Sequence, residues 1–247
     1  VIVLASIGHL SVEGVLGLTA AGYLTGGGYL TFVVARRVHS IRFSSRNWAT
    51  IIRNGVPVLG GTFGQTLAFR ADRLAIGLLA TSATLGVFSV SATAAELPRL
   101  LLLPVTQILA NRVAEGRIPV SGIRRIVVRV WAGYGLILLL VALVGAPLVL
   151  TVVGDAFAEA RDTIAVLAFS EALLGIYFLS VAVLTGLANF RSLPAPALTG
   201  ALFILIGDLL VVASHSSLGA AWVRVVGFGV MAIVALLSAR NKVRENA

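Results

Sequence analysis

Residues 132–152 read AGYGLILLLVALVGAPLVLTV and contain no charged side chain. A helix of this length spans about 30 Å, which matches the hydrocarbon core of a bilayer. A strand of a membrane barrel would alternate apolar and polar residues over roughly ten positions. The run from Ile137 to Val144 shows no such alternation. This stretch therefore predicts a transmembrane helix.

The rest of the chain follows the same pattern. Of its 247 residues, 58% are hydrophobic and 12% are charged, a balance that one soluble core of this size could not hold. Apolar segments predict full spans at about 15–35, 50–80, 87–111, 127–152, 163–188, 195–213 and 219–239, and residues 1–8 predict the tail of an interrupted span. We therefore predict an all-α polytopic membrane protein, a helical bundle of about seven spans plus an N-terminal stub.

Basic side chains fall on alternate loops of this arrangement. Fourteen of the 19 Lys and Arg residues lie in or beside these loops and the C-terminal tail: Arg36, Arg37, Arg42, Arg46, Arg53, Arg112, Arg117, Arg124, Arg125, Arg129, Arg191, Arg240, Lys242 and Arg244. The intervening loops contain only Arg161 as a base. The positive-inside rule then predicts that these loops and the C-terminus face the cytoplasm. Topology thus accounts for the net charge of +9 without a nucleic-acid partner.

The sequence lacks the motifs of most enzymes. It has no cysteine, and His9, His39 and His215 show no metal-ligand spacing. It also has no Gly-rich phosphate loop ending in Lys-Ser or Lys-Thr. We therefore predict neither enzymatic activity nor a cofactor or metal. Carboxylates inside the spans keep a membrane-embedded enzyme of polysaccharide assembly open as an alternative.

Seven ionisable residues lie inside the predicted spans. They are Arg70, Asp72, Arg73, Glu96, Arg99, Glu171 and Asp208. An unpaired charge at the bilayer centre costs at least roughly 2.5–3.5 kcal/mol, so we expect these side chains to pair or to line a cavity. Counting about 1.5 Å per residue from the outer loops predicts that the four carboxylates share one layer in the outer leaflet. We predict that the seven residues form a substrate pathway or ion-coupling site.

Polar residues next to these charges support the cavity interpretation. At 100° per residue, two stripes form on neighbouring helices: Thr62, Gln65, Thr66, Asp72 and Arg73 on one, and Ser89, Thr93, Glu96, Gln107 and Asn111 on the other. The alternative is purely structural pairing, with Arg73 binding Glu96 and Arg70 extending to the outer interface. Arg224, near the outer end of the last span, is predicted to be an interfacial anchor.

Helix-bending residues occur in two of the predicted spans. Pro57, Gly60, Gly61 and Gly64 predict a hinge within 50–80, and Pro104 predicts one in the next span. A kink needed only for packing fits the same residues. The Gly60/Gly64 and Gly22/Gly26 spacings predict close approach of a neighbouring helix.

Residues 48–114 carry an ordered set of motifs: Gly55-Val56-Pro57, Asp72-Arg73, Ile76-Gly77, Leu85-Gly86-Val87-Phe88-Ser89, Pro104 and Gln107. With these motifs the chain resembles the multidrug/oligosaccharidyl-lipid/polysaccharide flippase superfamily, and within it the O-antigen and capsular polysaccharide flippases. Phe88 stands where a tyrosine is frequent in that group, and Asn111-Arg112 stands where Pro-Arg is frequent.

The resemblance implies an architecture and a substrate. Such transporters have two six-helix lobes around a central cavity, so residues 45–247 would be the second lobe and residues 1–40 a remnant of the first. We expect further sequence upstream of Val1, and the cavity would be completed by the missing lobe or by a second copy. The substrate would be an undecaprenyl-pyrophosphate-linked oligosaccharide, carried among membrane lipids.

Charge counting leaves a second transport function open. Arg70, Arg73 and Arg99 against Asp72 and Glu96 give +1, which suits an anionic headgroup. Adding the two remaining carboxylates, Glu171 and Asp208, gives −1. That balance suits a proton- or sodium-coupled exporter of small cationic compounds.

Overall fold

The computed structural model describes residues 12–37, 45–145, 147–148, 151, 159–211 and 217–245. Every regular element in these ranges is a helix: α1 (Val12–Arg37), α2 (Ser45–Leu79), α3 (Ser82–Glu96), α4 (Arg99–Ala114), α5 (Val120–Leu140) with a π-helical turn (Val141–Gly145), α6 (Ala160–Gly186), a 3₁₀ turn (Phe190–Ser192), α7 (Pro194–Val211) and α8 (Ser217–Glu245). The chain divides into two compact units, Val1–Thr50 and Ile51–Ala247. The predicted stub and all three histidines lie outside the described residues.

The all-helical class is confirmed, but a count of about seven spans is not. In the described ranges, four segments are long and apolar enough to cross a membrane: Val120–Gly145, Ala160–Gly186, Phe190–Val211 and Ser217–Glu245. A fifth results if α3 and α4 count as one bent span. The long helices α1 and α2 are not among these segments, and α2 carries Arg46, Arg53, Arg70, Asp72 and Arg73. The apolar helices are compatible with a membrane protein.

The second unit is organised around α6. This helix packs against α3, α4, α5 and α8, and α8 also packs against α7. The most apolar window of α6 is 61% buried, whereas that of α5 is only 11% buried. The outer face of α5 exposes Leu136, Leu139 and Leu140. An apolar surface of this kind suits lipid as the surrounding solvent.

Glycines allow α2 to lie close against the beginning of α7. A Cβ atom built on Gly64 would lie 2.9 Å from the backbone carbon of Ala197, and one on Gly61 would lie 3.2 Å from the Cβ of Leu193. The close approach predicted from Gly60 and Gly64 is thereby confirmed. For Gly22 and Gly26, no atom of the described residues lies within 4 Å of such a Cβ.

The predicted hinge around Pro57 lies inside the unbroken helix α2. A bend of 43° separates α3 and α4, which meet at Leu97–Pro98. Pro98 has no N–H to continue the hydrogen bonding of α3, and it occupies the N-cap of α4. Pro104, where we predicted the hinge of this span, lies within α4.

Candidate functional site: a buried arginine–carboxylate cluster

Arg224 on α8 lies at the centre of a group of charged side chains and is completely buried. Its Nη1 lies 3.1 Å from Oδ2 of Asp72 on α2. Its Nη2 lies 2.7 Å from Oε1 of Glu96 on α3 and 3.0 Å from Oε1 of Glu171 on α6. The guanidinium carbon also lies 4.9 Å from the centre of the Phe228 ring, one turn along α8. Arg224 therefore joins four helices.

The prediction that Arg224 is an interfacial anchor was wrong. Its position seven residues after the start of α8 places it about 10 Å along the helix, within reach of an interface for a long side chain. Three carboxylates from other helices hold it inside instead. The sequence did contain a signal. The seven predicted residues summed to −1, an imbalance that a further buried cation would correct.

Arg99 makes the most extensive pairing with a single carboxylate. Its Nε lies 2.9 Å from Oε2 of Glu171, and its Nη2 bonds to Oε1 of the same side chain. This two-point contact is the geometry in which a guanidinium binds a carboxylate most strongly. Arg99 also lies 3.8 Å from Glu96 and above the ring of Phe69, at 4.4 Å. The bend at Leu97–Pro98 brings Glu96 and Arg99 to one side of the broken span.

Arg73 pairs with Glu96, as the structural alternative predicted. Its Nη2 lies 3.1 Å from Oε1 of Glu96, and the two side chains are 25% and 23% exposed. Its backbone N–H donates to Oδ1 of Asp72 at 2.6 Å. The buried Nε of Arg73 has no hydrogen-bond partner among the described residues. Arg73 thus keeps one donor free.

We call these six residues the charge cluster: Asp72, Arg73, Glu96, Arg99, Glu171 and Arg224. Three arginines and three carboxylates give it no net formal charge, and every member has an opposite charge within 4 Å. Neutral pairing offsets the large cost of taking isolated charges out of water.

Two of the predicted site residues lie outside the charge cluster. Asp208 on α7 is completely buried, yet neither carboxyl oxygen has a hydrogen-bond partner in the described residues. It interacts electrostatically with Asp72 and Arg224 without touching them. Arg70 is exposed and makes no ion pair with any described residue. The depth predicted for Glu96 in the layer of carboxylates assumed a span that begins at about residue 87. In the structure α3 begins at Ser82, so Glu96 lies fourteen residues along the helix.

A cavity of about 360 Å³ opens beside the charge cluster. Gln65 from the first predicted polar stripe and Thr93 and Glu96 from the second all line it. Arg99 and the rings of Phe69 and Phe178 complete its polar and aromatic walls. The volume lies within the usual range for small-ligand sites, and Glu96 and Arg99 are the charges that face a ligand there.

A metal centre has no support in the described ranges, where no group of three or more His, Asp or Glu side chains could hold an ion.

No family model matches the sequence, and no curated protein or solved structure matches it either. The resemblance to polysaccharide flippases therefore stays a prediction from motifs. The charge cluster and its cavity carry the functional inference.

Proposed function

We propose that this chain forms one lobe of a transporter that flips an undecaprenyl-pyrophosphate-linked oligosaccharide across the cytoplasmic membrane for cell-surface polysaccharide synthesis. One observation carries the proposal. Glu96, at the cavity, is shared by three arginines, with its Oε1 at 3.1 Å from Arg73, 2.7 Å from Arg224 and 3.8 Å from Arg99. A diphosphate entering the cavity would compete with a single carboxylate for several guanidinium groups.

Arginine suits a diphosphate because its planar donors match pairs of phosphate oxygens. Arg73 is the cation most easily redirected, since Glu96 is its one ion-pair partner in the described residues and its Nε is free. Arg99 is held at two points by Glu171 and would contribute charge with less movement. Arg224 is completely buried and does not line the cavity. In this scheme the phosphate first meets Arg99 in the cavity, and Glu96 is then released from Arg73, which turns toward the phosphate.

Transport would proceed by rocking of one lobe against another around this site. The charge cluster joins α2, the bent α3–α4 pair, α6 and α8, so displacement of α2 or α4 separates opposite charges. We infer that the ion pairs hold the resting state. Substrate phosphates would replace Glu96 and lower the cost of that movement.

We place the C-terminus on the cytoplasmic side of the inner membrane. The beginning of α5 and the ends of α6 and α8 line one common cavity, so these ends lie together. Arg124, Arg240 and Arg244 are at this end. Such enrichment of arginine is typical of cytoplasmic faces.

The test is complementation of a flippase-deficient strain by the full-length protein. Arg73→Ala and Arg99→Ala should abolish complementation, while Arg70→Ala, which removes an exposed arginine outside the charge cluster, should not. Membrane insertion is checked for each variant by fractionation. Full complementation by inserted Arg73→Ala and Arg99→Ala would refute the site.

A paired substitution separates function from folding. Arg99→Leu with Glu171→Leu leaves two arginines and two carboxylates, so the charge cluster stays neutral and the protein should insert normally. We expect this inserted double variant to be inactive. Wild-type activity in it would show that Arg99 has only a structural role.

A second function, ion-coupled export of small cations, is favoured by other features of the same region. The cavity combines Glu96 with two phenyl rings, a set that attracts organic cations, and Asp208 offers a buried carboxyl for a coupling ion. Glu96→Gln or Asp208→Asn should then remove proton- or sodium-driven efflux of a lipophilic cation from vesicles. The enzyme alternative would instead require a chemically changed lipid product.

A further inference from the structure

A second and larger cavity lies at the basic end of the bundle. It has a volume of about 650 Å³ and lies between the beginning of α5 and the last turns of α6 and α8. Arg124 from α5 and Arg240 and Arg244 from α8 line it, and the two arginines of α8 are one turn apart on the same face. Its remaining walls are mainly apolar, with Val127, Val128, Val183, Leu236, Ala239 and Val243 among them. We call this cavity the basic groove.

The three arginines of the basic groove have uncompensated charge. None of them makes an ion pair or a side-chain hydrogen bond with a residue in the described ranges. The acidic residue nearest in sequence, Glu245, binds Lys242 at 2.8 Å. No carboxylate lines the groove. The groove therefore combines three positive charges with mainly apolar walls.

A buried hydroxyl at the bottom of the groove also lacks a partner. Ser180 on α6 is 2% exposed, and its Oγ makes no hydrogen bond with any described residue. Other serines in these helices bond to their own backbone, as Ser170 does to the carbonyl of Leu167 and Ser238 to that of Val234. Ser180 lies six residues before the end of α6, about 9 Å from it. A ligand acceptor at that depth would satisfy this hydroxyl.

We propose that the basic groove binds an anionic glycerophospholipid. Its phosphate contacts the three arginines, one acyl-ester carbonyl accepts a hydrogen bond from Ser180, and an acyl chain follows the valines of α5 and Leu236. By the rise along each helix, the three arginines lie nearer the helix ends than Ser180, while Val127, Val128 and Leu236 lie deeper than Ser180. Phosphate, ester and acyl chain follow one another in the same sense in such a lipid. Basic pockets between membrane helices bind anionic headgroups in this way. This proposal does not depend on the transported substrate.

The experiment measures binding of single lipids to the full-length protein in detergent by native mass spectrometry. Phosphatidylglycerol is the probe, and phosphatidylcholine is the neutral comparison. The triple variant Arg124→Gln, Arg240→Gln and Arg244→Gln should bind phosphatidylglycerol about 100-fold more weakly and should lose the preference over phosphatidylcholine.

The matched control removes three arginines of the same end that do not line the groove: Arg112→Gln, Arg125→Gln and Arg129→Gln. This control should keep the wild-type affinity for phosphatidylglycerol to within about twofold, since it changes net charge alone. An equal loss of affinity in both triple variants would overturn the site.

Two further binding measurements identify the ligand. Ser180→Ala should weaken binding of ester-linked phosphatidylglycerol by roughly five- to tenfold and leave an ether-linked analogue unaffected, because the analogue has no carbonyl to accept the hydrogen bond. Equal binding changes for both lipids would overturn the ester contact. Inorganic phosphate at millimolar concentration should not displace the lipid. Displacement would show that the arginines bind a free anion instead.

Discussion

Substitution of Arg224 by methionine tests the organisation of the charge cluster most directly. Methionine fills similar space without a charge, so the effect comes from the carboxylates that lose their partner. Glu96 and Glu171 each keep another arginine of the cluster. Asp72 keeps only the backbone N–H of Arg73, at 2.6 Å. The substitution therefore leaves one buried carboxylate without a side-chain counter-ion.

The magnitude follows from that single loss. Summing three charge-assisted hydrogen bonds would overcount, because two of the three carboxylates remain paired. Breaking one buried ion pair by removing one partner destabilises a protein by about 3–5 kcal/mol. For a chain of this size each kcal/mol lowers Tm by roughly 2–4 °C. We therefore expect Arg224→Met to lower Tm by roughly 6–20 °C.

The assay is thermal unfolding of the purified full-length protein in detergent, followed by circular dichroism of the helices. Arg70→Met is the matched control, and it should change stability by less than about 0.5 kcal/mol because Arg70 is exposed. Arg224→Met combined with Asp72→Asn should recover most of the lost stability, since the stranded charge is gone. A single variant that unfolds at the wild-type temperature, or a double variant no more stable than the single one, would refute the reasoning.

Three more predictions concern packing, a buried carboxyl and a helix cap. Gly64→Ala should lower the free energy of unfolding by about 1–3 kcal/mol, because its Cβ would lie 2.9 Å from the backbone of α7. Gly55→Ala, with nothing within 4 Å, should raise it by about 0.5–1 kcal/mol in the same denaturation experiment. Asp208→Leu should raise the free energy of unfolding by about 1–3 kcal/mol, because it removes a buried carboxyl that has no hydrogen-bond partner in the described residues. A lower Tm than wild type would show that the carboxyl has a partner. Thr81→Ala removes the cap on the N–H of Thr84 and should cost about 0.5–2 kcal/mol, detected as faster hydrogen exchange at the start of α3.

The sequence by itself determined the helical class and most helix positions. The spans predicted at 163–188 and 195–213 appear as Ala160–Gly186 and Pro194–Val211. Such agreement follows from the length of the apolar runs, since in lipid each run must satisfy its own backbone hydrogen bonds. The apolar background also made charged residues conspicuous. Five of the seven predicted site residues therefore belong to the charge cluster.

Only the tertiary structure decided how these residues are paired. Arg224 binds Asp72 and Glu171, which lie 152 and 53 residues away in the sequence. Asp72 and Asp208 are both carboxylates inside predicted spans, yet one has a counter-ion and the other has no hydrogen-bond partner in the described ranges. Position along a helix predicts the depth of a side chain. It does not predict which helices are neighbours or which faces meet, because packing between distant segments determines both.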